Sequence, residues 1–191
     1  MAHLTIIGTG AMGQAIADLA RKGGSTVELL GTDDHGIRPV GDIVVLAVPY
    51  AAVDDVLARR GADLDGRIVV DITNPLDIET FDGLVVPPDS SSAAQIAARL
   101  PGARVLKAFN TTFAGTLAGG GVGPLTTTVL IAGDDGDAKT ALAGVVTAGG
   151  LRAVDVGSLK RARELEALGF LQISLAATEK ISWTGGFGLV S

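Results

Sequence analysis

The 191-residue sequence contains no cysteine and few aromatic side chains, which make up 4% of the chain. Without cysteine, the chain cannot form disulfides, thiolate metal sites or a cysteine nucleophile. With so few aromatic rings, the core must be aliphatic, which suits a buried parallel sheet. The sequence also lacks an apolar run long enough to span a bilayer and the features of a signal peptide. We therefore expect a cytoplasmic protein that does not associate with membranes.

Positive charge is scarce as well. The 15 lysines and arginines are outnumbered by 21 aspartates and glutamates, so the net charge is −6 and the pI is about 4.8. An acidic chain without a basic stripe argues against nucleic acid as a partner. The two histidines belong to no cluster with metal-ligand spacing, so no metal site is expected. At 191 residues, the chain is expected to fold as one domain over residues 1–191, and its 47% hydrophobic residues argue against disorder.

Glycine, in contrast, is abundant, and three glycines form a motif near the start of the chain. The segment Gly8-Thr9-Gly10-Ala11-Met12-Gly13 follows an apolar run at 4–7 and opens an apolar-periodic stretch at 11–20. A G-x-G-x-x-G sequence between a strand and a helix is typical of a dinucleotide-binding turn. The first glycine permits the tight turn, the second lets a pyrophosphate approach the backbone, and the third lets the helix pack on the strand. The motif therefore predicts that residues 8–13 hold the phosphates of a dinucleotide.

Short apolar runs alternate with stretches of helical periodicity along the chain. The predicted strands are 4–7, 26–30, 42–48, 67–71, 103–108, 127–131 and 151–156; the predicted helices are 11–20, 51–60, a segment from the serines at 90–92 to about 100, 134–149 and 158–180. The alternation predicts an α/β fold with a doubly wound, mainly parallel Rossmann-type sheet and a small C-terminal helical part. A seam near 101–124 could separate a smaller C-terminal subdomain.

Three polar segments follow predicted strands of this sheet. In open α/β sheets, ligands bind beyond the carboxyl ends of the strands. We therefore expect these segments to line the path from the adenosine to the nicotinamide. Asn74 and Asn110 have short amides that can bond a ribose hydroxyl or a carboxamide, whereas Pro49 and Pro75 could equally be turn residues. The candidate cofactor-binding residues at the strand ends are Val48, Pro49, Tyr50, Thr73, Asn74, Pro75 and Asn110.

The segment after the second predicted strand bears on the choice between NAD and NADP. An acidic residue about 20 positions after the glycine motif favours NAD, and Asp33 lies 20 positions after Gly13. Thr32, His35 and Arg38 could still contact a 2′-phosphate if the aspartate points away. Thr32, Asp33 and Arg38 are therefore candidates for contact with the adenosine ribose, and a solvated loop that touches neither group is the alternative.

The sequence offers no evident acid–base pair, which leaves three hypotheses for function. The first is hydride transfer between two bound redox cofactors, for which the protein supplies position and stacking. The second is a non-catalytic dinucleotide sensor. The third is a small-molecule dehydrogenase in which Lys107 acts on a substrate oxygen, with Asn110 beside it. For Lys107, a structural pairing with a carboxylate is the alternative, because too few residues remain for the large helical domain that such dehydrogenases use.

The last predicted helix has two distinct parts. Its basic and acidic start at 160–166 is either a solvated face with charge pairs or an anion-binding edge. The following segment, 167–171, is apolar nearly all round, so it is expected in the core or against a partner subunit. Trp183 and Phe187 could contribute to the same interface.

Taken together, these segments resemble the family of NADP oxidoreductases that depend on the deazaflavin coenzyme F420. The resemblance runs over almost the whole chain. It rests on residues 8–13, 48–50, 71–75, 91–94, 107–112, 132–135 and 159–170. It implies a Rossmann-type domain, a homodimer, NADP(H) on the glycine motif, and a deazaflavin or flavin that exchanges hydride directly with the nicotinamide. The cytosolic domains of membrane metalloreductases are similar too, and they pass electrons to a flavin.

The chain departs from this family's pattern after the second predicted strand. Members commonly have Ser or Thr followed by Arg or Lys there, whereas Thr32 is followed by Asp33. The resemblance therefore implies NADP, while Asp33 leaves NAD open as the dinucleotide.

Overall fold

The computed structural model of the chain describes residues 1–31, 34 and 36–190. Nine strands and six α-helices, joined in places by short 3₁₀ turns, make up this described part. In chain order they are β1 (His3–Ile7), α1 (Ala11–Lys22), β2 (Thr26–Leu30), β3 (Ile43–Leu46), α2 (Val53–Arg60), β4 (Ile68–Asp71), α3 (Ser92–Arg99), β5 (Arg104–Lys107), α4 (Ala114–Gly119), β6 (Gly121–Val122), β7 (Leu125–Thr126), β8 (Thr128–Gly133), α5 (Gly136–Ala148), β9 (Arg152–Gly157) and α6 (Ala162–Ala177).

Seven of the strands form one sheet, in the order β2-β1-β3-β4-β5-β8-β9. The first five strands are parallel, so their carboxyl ends meet at one edge. β8 runs antiparallel to β5, with Lys107 opposite Ala132, and β9 runs parallel to β8. The prediction of a doubly wound, mainly parallel Rossmann-type sheet is confirmed. The antiparallel pairing of β8 with β5 is the exception to the parallel order.

The segment around 114–126 differs most from the sequence prediction. The sequence pattern predicts no regular element in this glycine-rich stretch, but it contains α4 and the hairpin of β6 and β7. Gly120 ends the helix in a left-handed conformation (φ 74°), and Gly123 takes a positive φ of 57° in the hairpin turn. Gly120 and Gly123 therefore allow the chain to turn after α4 and between β6 and β7. The seam predicted near 101–124 stays a prediction, although β5 lies within that range and pairs with β8 beyond it.

Aliphatic side chains fill both faces of the sheet. α1, α4 and α5 pack on one face, and α2 and α3 pack on the other. Every residue of β3 and β4 is buried, as expected for central parallel strands. Phe109 is the one buried aromatic side chain in the part of the chain that the structure describes. Among these residues, no helix combines the length and hydropathy needed to span a membrane; the cytoplasmic location stays a prediction.

The glycine motif connects β1 to α1, and two of its glycines are required by the fold itself. Gly8 has a φ of 120°, and a Cβ there would lie 2.1 Å from the carbonyl oxygen of Ala47. A Cβ on Gly13 would lie 2.1 Å from the carbonyl oxygen of Gly8, because α1 packs directly on the turn. Gly10 is different, since a Cβ added there would have no described atom within 4 Å. The space beside Gly10 is therefore open.

We expect Gly13→Ala to lower the free energy of unfolding by about 1–3 kcal/mol, because the added methyl group meets backbone atoms that cannot yield easily. Gly10→Ala is the matched control and should change the free energy by less than about 1 kcal/mol, since its methyl group enters open space. Urea unfolding followed by circular dichroism measures both variants. Equal stability of the two would contradict the packing assigned to Gly13.

Candidate functional site

The amino end of α1 is open to solvent at the edge where the parallel strands end. Gly10 is the N-cap residue, no side chain among the described residues caps the helix, and its first turn contains no acidic residue. Thr9, Gly10 and Ala11 are exposed. The first N–H groups of a helix have no partner within the helix and carry partial positive charge. This terminus can therefore bind an anionic group such as a phosphate.

A cavity of about 290 Å³ lies next to this helix terminus. Ile7, Gly8 and Thr9 form one side of it, Leu30 and Gly31 at the end of β2 form another, and Val48 together with α2 closes it. Its apolar walls and its position beside the glycine turn suit a flat ring and a sugar. Of the predicted cofactor-binding residues, Gly8, Thr9 and Val48 line this cavity.

Of the residues predicted to contact the adenosine ribose, Arg38 is described and does not line this cavity. Arg38 is exposed, and its Nε lies 3.4 Å from an oxygen of Asp63. Thr32, Asp33 and His35 lie outside the described residues, so the expected contact of Thr32 and Asp33 with the ribose stays a prediction.

Pro49 and Tyr50 follow β3 and lead into α2. Tyr50 begins a 3₁₀ turn, and its hydroxyl donates to Oε1 of Gln95 at 2.9 Å. Burial raises the pKa of Tyr50, and the negative charges of Asp54, Glu166 and Asp71 add to this effect. Tyr50 lines a separate cavity of about 260 Å³ between α2 and α3.

Asn74 and Asn110 follow β4 and β5 and bond each other. Nδ2 of Asn74 donates to the carbonyl oxygen of Asn110 at 3.1 Å, and Nδ2 of Asn110 donates to Oδ1 of Asn74 at 3.0 Å and to the carbonyl oxygen of Leu165 at 2.8 Å. Gly169 of α6 packs so closely on this pair that a Cβ would lie 2.4 Å from Oδ1 of Asn74. The structure thus brings the two predicted amides together.

Two features of this pair are unusual for a purely structural contact. Oδ1 of Asn110 is buried and has no hydrogen-bond partner in the described part of the chain. Phe109, the residue before it, has a φ of 63°, which is rare for a bulky residue. Buried unpaired acceptors and backbone strain occur preferentially at functional sites. The Asn74–Asn110 pair is therefore the best candidate for contact with the reactive end of a cofactor.

Thr73, just before this pair, is fixed through all of its polar groups. Its N–H donates to Oδ1 of Asp71 at 2.8 Å, its carbonyl oxygen accepts from Nζ of Lys107 at 2.5 Å, and its hydroxyl lies 2.9 Å from the hydroxyl of Ser92. Pro75 is buried on the other side of Asn74. The backbone that carries Asn74 is therefore held rigidly.

Lys107 supplies the centre of this arrangement. Its Nζ lies 2.8 Å from Oδ2 of Asp71 and 2.8 Å from Oε1 of Glu166, and all three side chains are fully buried. With the carbonyl oxygen of Thr73, these two carboxylates occupy the three donor positions of the ammonium. Lys107 therefore pairs with carboxylates, as in the structural alternative to a catalytic role. Its side chain is fully buried, so a substrate could not reach it in this conformation.

Glu166 also caps α3 from a distant part of the chain. Its Oε2 accepts from the N–H of Ser92 at 3.0 Å, while the hydroxyl of Ser91 accepts from the N–H of Ala94. Burial raises the pKa of Glu166, against the opposing effects of Lys107 and the Ser92 N–H. The carboxylate therefore retains a proton more readily than an exposed glutamate does.

Sequence reasoning missed Asp71 and Glu166 as partners of Lys107, although signals for both exist. Asp71 ends an otherwise apolar strand and lies directly opposite Lys107 in the register of β4 and β5. Glu166 shares the inward side of α6 with Ala162, Gly169 and Gln172. A glutamate at such a position must find a partner, since a buried charge without one is strongly unfavourable.

The raised pKa of Glu166 predicts a pH effect on stability. In the unfolded chain this carboxyl group titrates near its ordinary value of 4.5, and in the folded protein it titrates at higher pH. The folded state binds more protons within that interval, so the stability from Glu166 is complete below pH 4.5 and declines as pH rises through the folded pKa. The unfolding free energy of the wild type, minus that of Glu166→Gln, should therefore fall across this interval.

Denaturant titrations at a series of pH values measure this difference. Glu164→Gln is the control, because Glu164 is half-exposed and pairs with Arg161 at 3.3 Å on the outer side of the same helix. Because this pair is exposed, Glu164→Gln should change the free energy of unfolding by less than about 1 kcal/mol at each pH. A difference for Glu166→Gln that rises with pH would show that the attraction of Lys107 outweighs burial.

The sequence of this chain is similar to those of a known protein family. The family described as NADP oxidoreductase, coenzyme F420-dependent, matches residues 32–75. An F420-dependent NADP reductase of Methanothermobacter thermautotrophicus is 31% identical over 189 residues, which cover 91% of this chain and 81% of that protein. The F420-dependent NADP reductase of Methanocaldococcus jannaschii is 28% identical over 172 residues, or 88% of this chain and 77% of that protein.

A solved structure agrees with the fold. A candidate F420-dependent NADP reductase from Arthrobacter sp. FB24 superposes with a TM-score of 0.83, at 23% identity and with 100% of both chains covered. At this identity the similarity establishes the shared architecture of the sheet and helices.

Proposed function

Because the chain belongs to the family of coenzyme F420-dependent NADP oxidoreductases, we propose that it transfers hydride between NADP(H) and a deazaflavin of the coenzyme F420 type. The observation that carries the proposal is the open amino end of α1 beside the cavity at the end of β2. The names of the two methanogen relatives support both cofactors.

The residues of this chain fit a dinucleotide at the glycine motif. Gly10 leaves open space beside the first N–H groups of α1, where a pyrophosphate can approach. Leu30, Val48 and Val56 give the neighbouring cavity apolar walls that suit an adenine ring. Residues 8–13 would therefore hold the phosphates, with Thr9, Ala11 and Met12 flanking the glycines.

The nicotinamide would lie toward Asn74 and Asn110. Their amides supply both donors and acceptors, and Oδ1 of Asn110 is an acceptor without a protein partner among the described residues. Pro49 and Pro75 would border the ring, because they follow the neighbouring strands β3 and β4. We propose these contacts because ligands of open α/β sheets bind beyond the carboxyl ends of the strands, where these residues lie.

Bound together, NADPH and the deazaflavin would supply the redox chemistry themselves: a hydride from the nicotinamide and a proton would reduce the deazaflavin, or the reverse would occur. This chain's residues hold the reacting rings in position and exclude water, and such positioning is a large part of catalysis in hydride transfer. Lys107, Asp71 and Glu166 bind one another and fix Thr73, so we assign them a role in holding the site together. Acid–base work on a small substrate by Lys107 would require this network to open.

Anaerobic stopped-flow mixing of the protein with NADPH and coenzyme F420 tests the proposal. We expect the visible absorbance of the deazaflavin to fall at a rate that saturates with protein concentration, because the two rings react in one complex. FMN in place of coenzyme F420 is the comparison, and it should react more slowly. Gly10→Ala, which should fold normally, is expected to raise the Kd for NADPH about tenfold or more by filling the space beside the pyrophosphate.

Two outcomes would contradict the proposal in different ways. NADPH binding without any reduction of the deazaflavin would favour the non-catalytic sensor. Faster reduction of FMN than of coenzyme F420 would make a flavin the acceptor.

We also infer that the protein is a homodimer. The outward side of α6 exposes Leu171, and Trp183 and Phe187 in the C-terminal segment are about half exposed. Trp183 also packs on Phe113, with ring centroids 4.9 Å apart, so this segment is held against α4. Large exposed apolar side chains such as these are common in subunit interfaces.

Sedimentation measures this directly. We expect a species of twice the 19.2 kDa chain mass that dissociates in Leu171→Asp, since a charge at the interface would be desolvated. Val40→Asp, at an exposed apolar residue before β3, should leave the dimer intact. A wild-type protein of single-chain mass at all concentrations would contradict the inference.

A further inference from the structure

Two consecutive arginines, Arg59 and Arg60, end α2 and line the cavity beside the glycine motif. We propose that they form the binding site for the 2′-phosphate of the adenosine ribose and so give the protein its preference for NADP over NAD. This inference rests on the proposed function, because it assumes a dinucleotide on residues 8–13.

The position of the cavity determines which part of the dinucleotide lies there. Its wall includes Gly8 and Thr9 of the phosphate-binding turn and Leu30 and Gly31 at the carboxyl end of β2. In dinucleotide-binding sheets of this kind, the adenosine ribose lies at the end of the second strand. A pyrophosphate at α1 therefore leaves the ribose between β2 and the last turn of α2.

Arg60 brings a nearly buried positive charge to the cavity. The residue is 7% exposed, and its guanidinium donates to the main-chain carbonyl oxygens of Asp34 and Ile37. Among the described residues, no carboxylate oxygen lies within 4.0 Å of it. A buried charge held only by carbonyl oxygens is expensive in free energy unless an anion completes its surroundings. A phosphate with two negative charges would do so.

Arg59 adds a second guanidinium at the mouth of the same cavity. Its Nε lies 2.8 Å from Oδ1 of Asp55, and both side chains are about half exposed. Exposed pairs four residues apart on a helix are weak, so a phosphate can compete with Asp55 for this guanidinium. The fork of a guanidinium also matches two phosphate oxygens, which gives a strong charge-assisted contact.

Two guanidinium groups and two carboxylates lie around the cavity. Arg59, Arg60 and Asp55 line it, and the carboxylate of Asp34 accepts from the N–H of Gly31, another lining residue, at 2.7 Å. An anion in the cavity would therefore depend on Arg60, whose charge has no carboxylate partner among the described residues. The base that commonly follows Ser or Thr after β2 in this family is absent, because Asp33 occupies that position. The two arginines of α2 therefore supply, from a different element, the positive charge that NADP requires.

Calorimetric titration with nucleotide fragments tests the assignment without turnover. The probes are 2′,5′-ADP, which carries the 2′-phosphate, and 5′-AMP, which does not. We expect the wild type to bind 2′,5′-ADP about tenfold or more tighter than 5′-AMP, with a ratio that shrinks at high ionic strength. In Arg59→Gln the ratio should fall toward one while the affinity for 5′-AMP stays unchanged.

Arg99→Gln is the matched control. Arg99 has a similar exposure and also pairs with an aspartate of α2, Asp54, but it lies on α3 outside this cavity. Its ratio should equal that of the wild type. Arg60→Lys is the second variant, since it keeps the charge that holds the segment of Asp34 and Ile37 but loses the fork. It should fold, as judged by circular dichroism, and bind 2′,5′-ADP with an intermediate ratio.

The outcomes separate this inference from the proposed function. If Arg59→Gln and Arg60→Lys both keep the wild-type ratio, or if the wild type prefers 5′-AMP, the arginine assignment is overturned while a dinucleotide site remains. If the wild type binds neither fragment, the proposed dinucleotide site itself is wrong, and the arginine assignment falls with it.

Discussion

At the carboxyl end of β5, the ammonium of Lys107 lies among three oxygens that come from different segments. Asp71 belongs to β4, the carbonyl of Thr73 belongs to the segment that follows it, and Glu166 belongs to α6. Because all of these groups are buried, removing Lys107 would leave two carboxyl groups without their shared cation in a dry interior. This requirement ties the C-terminal helix to the parallel sheet, and it fixes the backbone on which Asn74 and Asn110 stand.

The amino ends of α3 and α1 are capped in opposite ways. The amino end of α3 is filled from inside the protein, since Ser91 and Glu166 accept its first N–H groups. The amino end of α1 has a glycine in the capping position and no acidic residue in its first turn. Both termini carry the same partial positive charge. Of these two termini, only that of α1 is left open to solvent, which is why the proposed phosphate site is at α1.

How far the sequence could predict the molecule depends on the range of each interaction. The glycine motif, β2 and the asparagines were predictable, because strand–turn–helix patterns are local and the strand ends of a parallel sheet meet at one edge. The hairpin of β6 and β7 was missed, because its glycines resembled an irregular loop. The partners of Lys107 were missed for another reason: Glu166 lies 59 positions away along the chain, and spacing carries no information about such a contact.

The cofactor preference illustrates the same limit. A rule that examines one position after β2 reads Asp33 as a sign of NAD, because a carboxylate repels a 2′-phosphate. Electrostatic preference, however, depends on the sum of the charges around the phosphate, and charges on other elements count equally at equal distance. Arg60 is nearly buried, so water screens its charge less than it screens the charge of an exposed group. A cation from α2 can therefore outweigh an acidic residue in the segment after β2, and the preference becomes a property of the whole cavity.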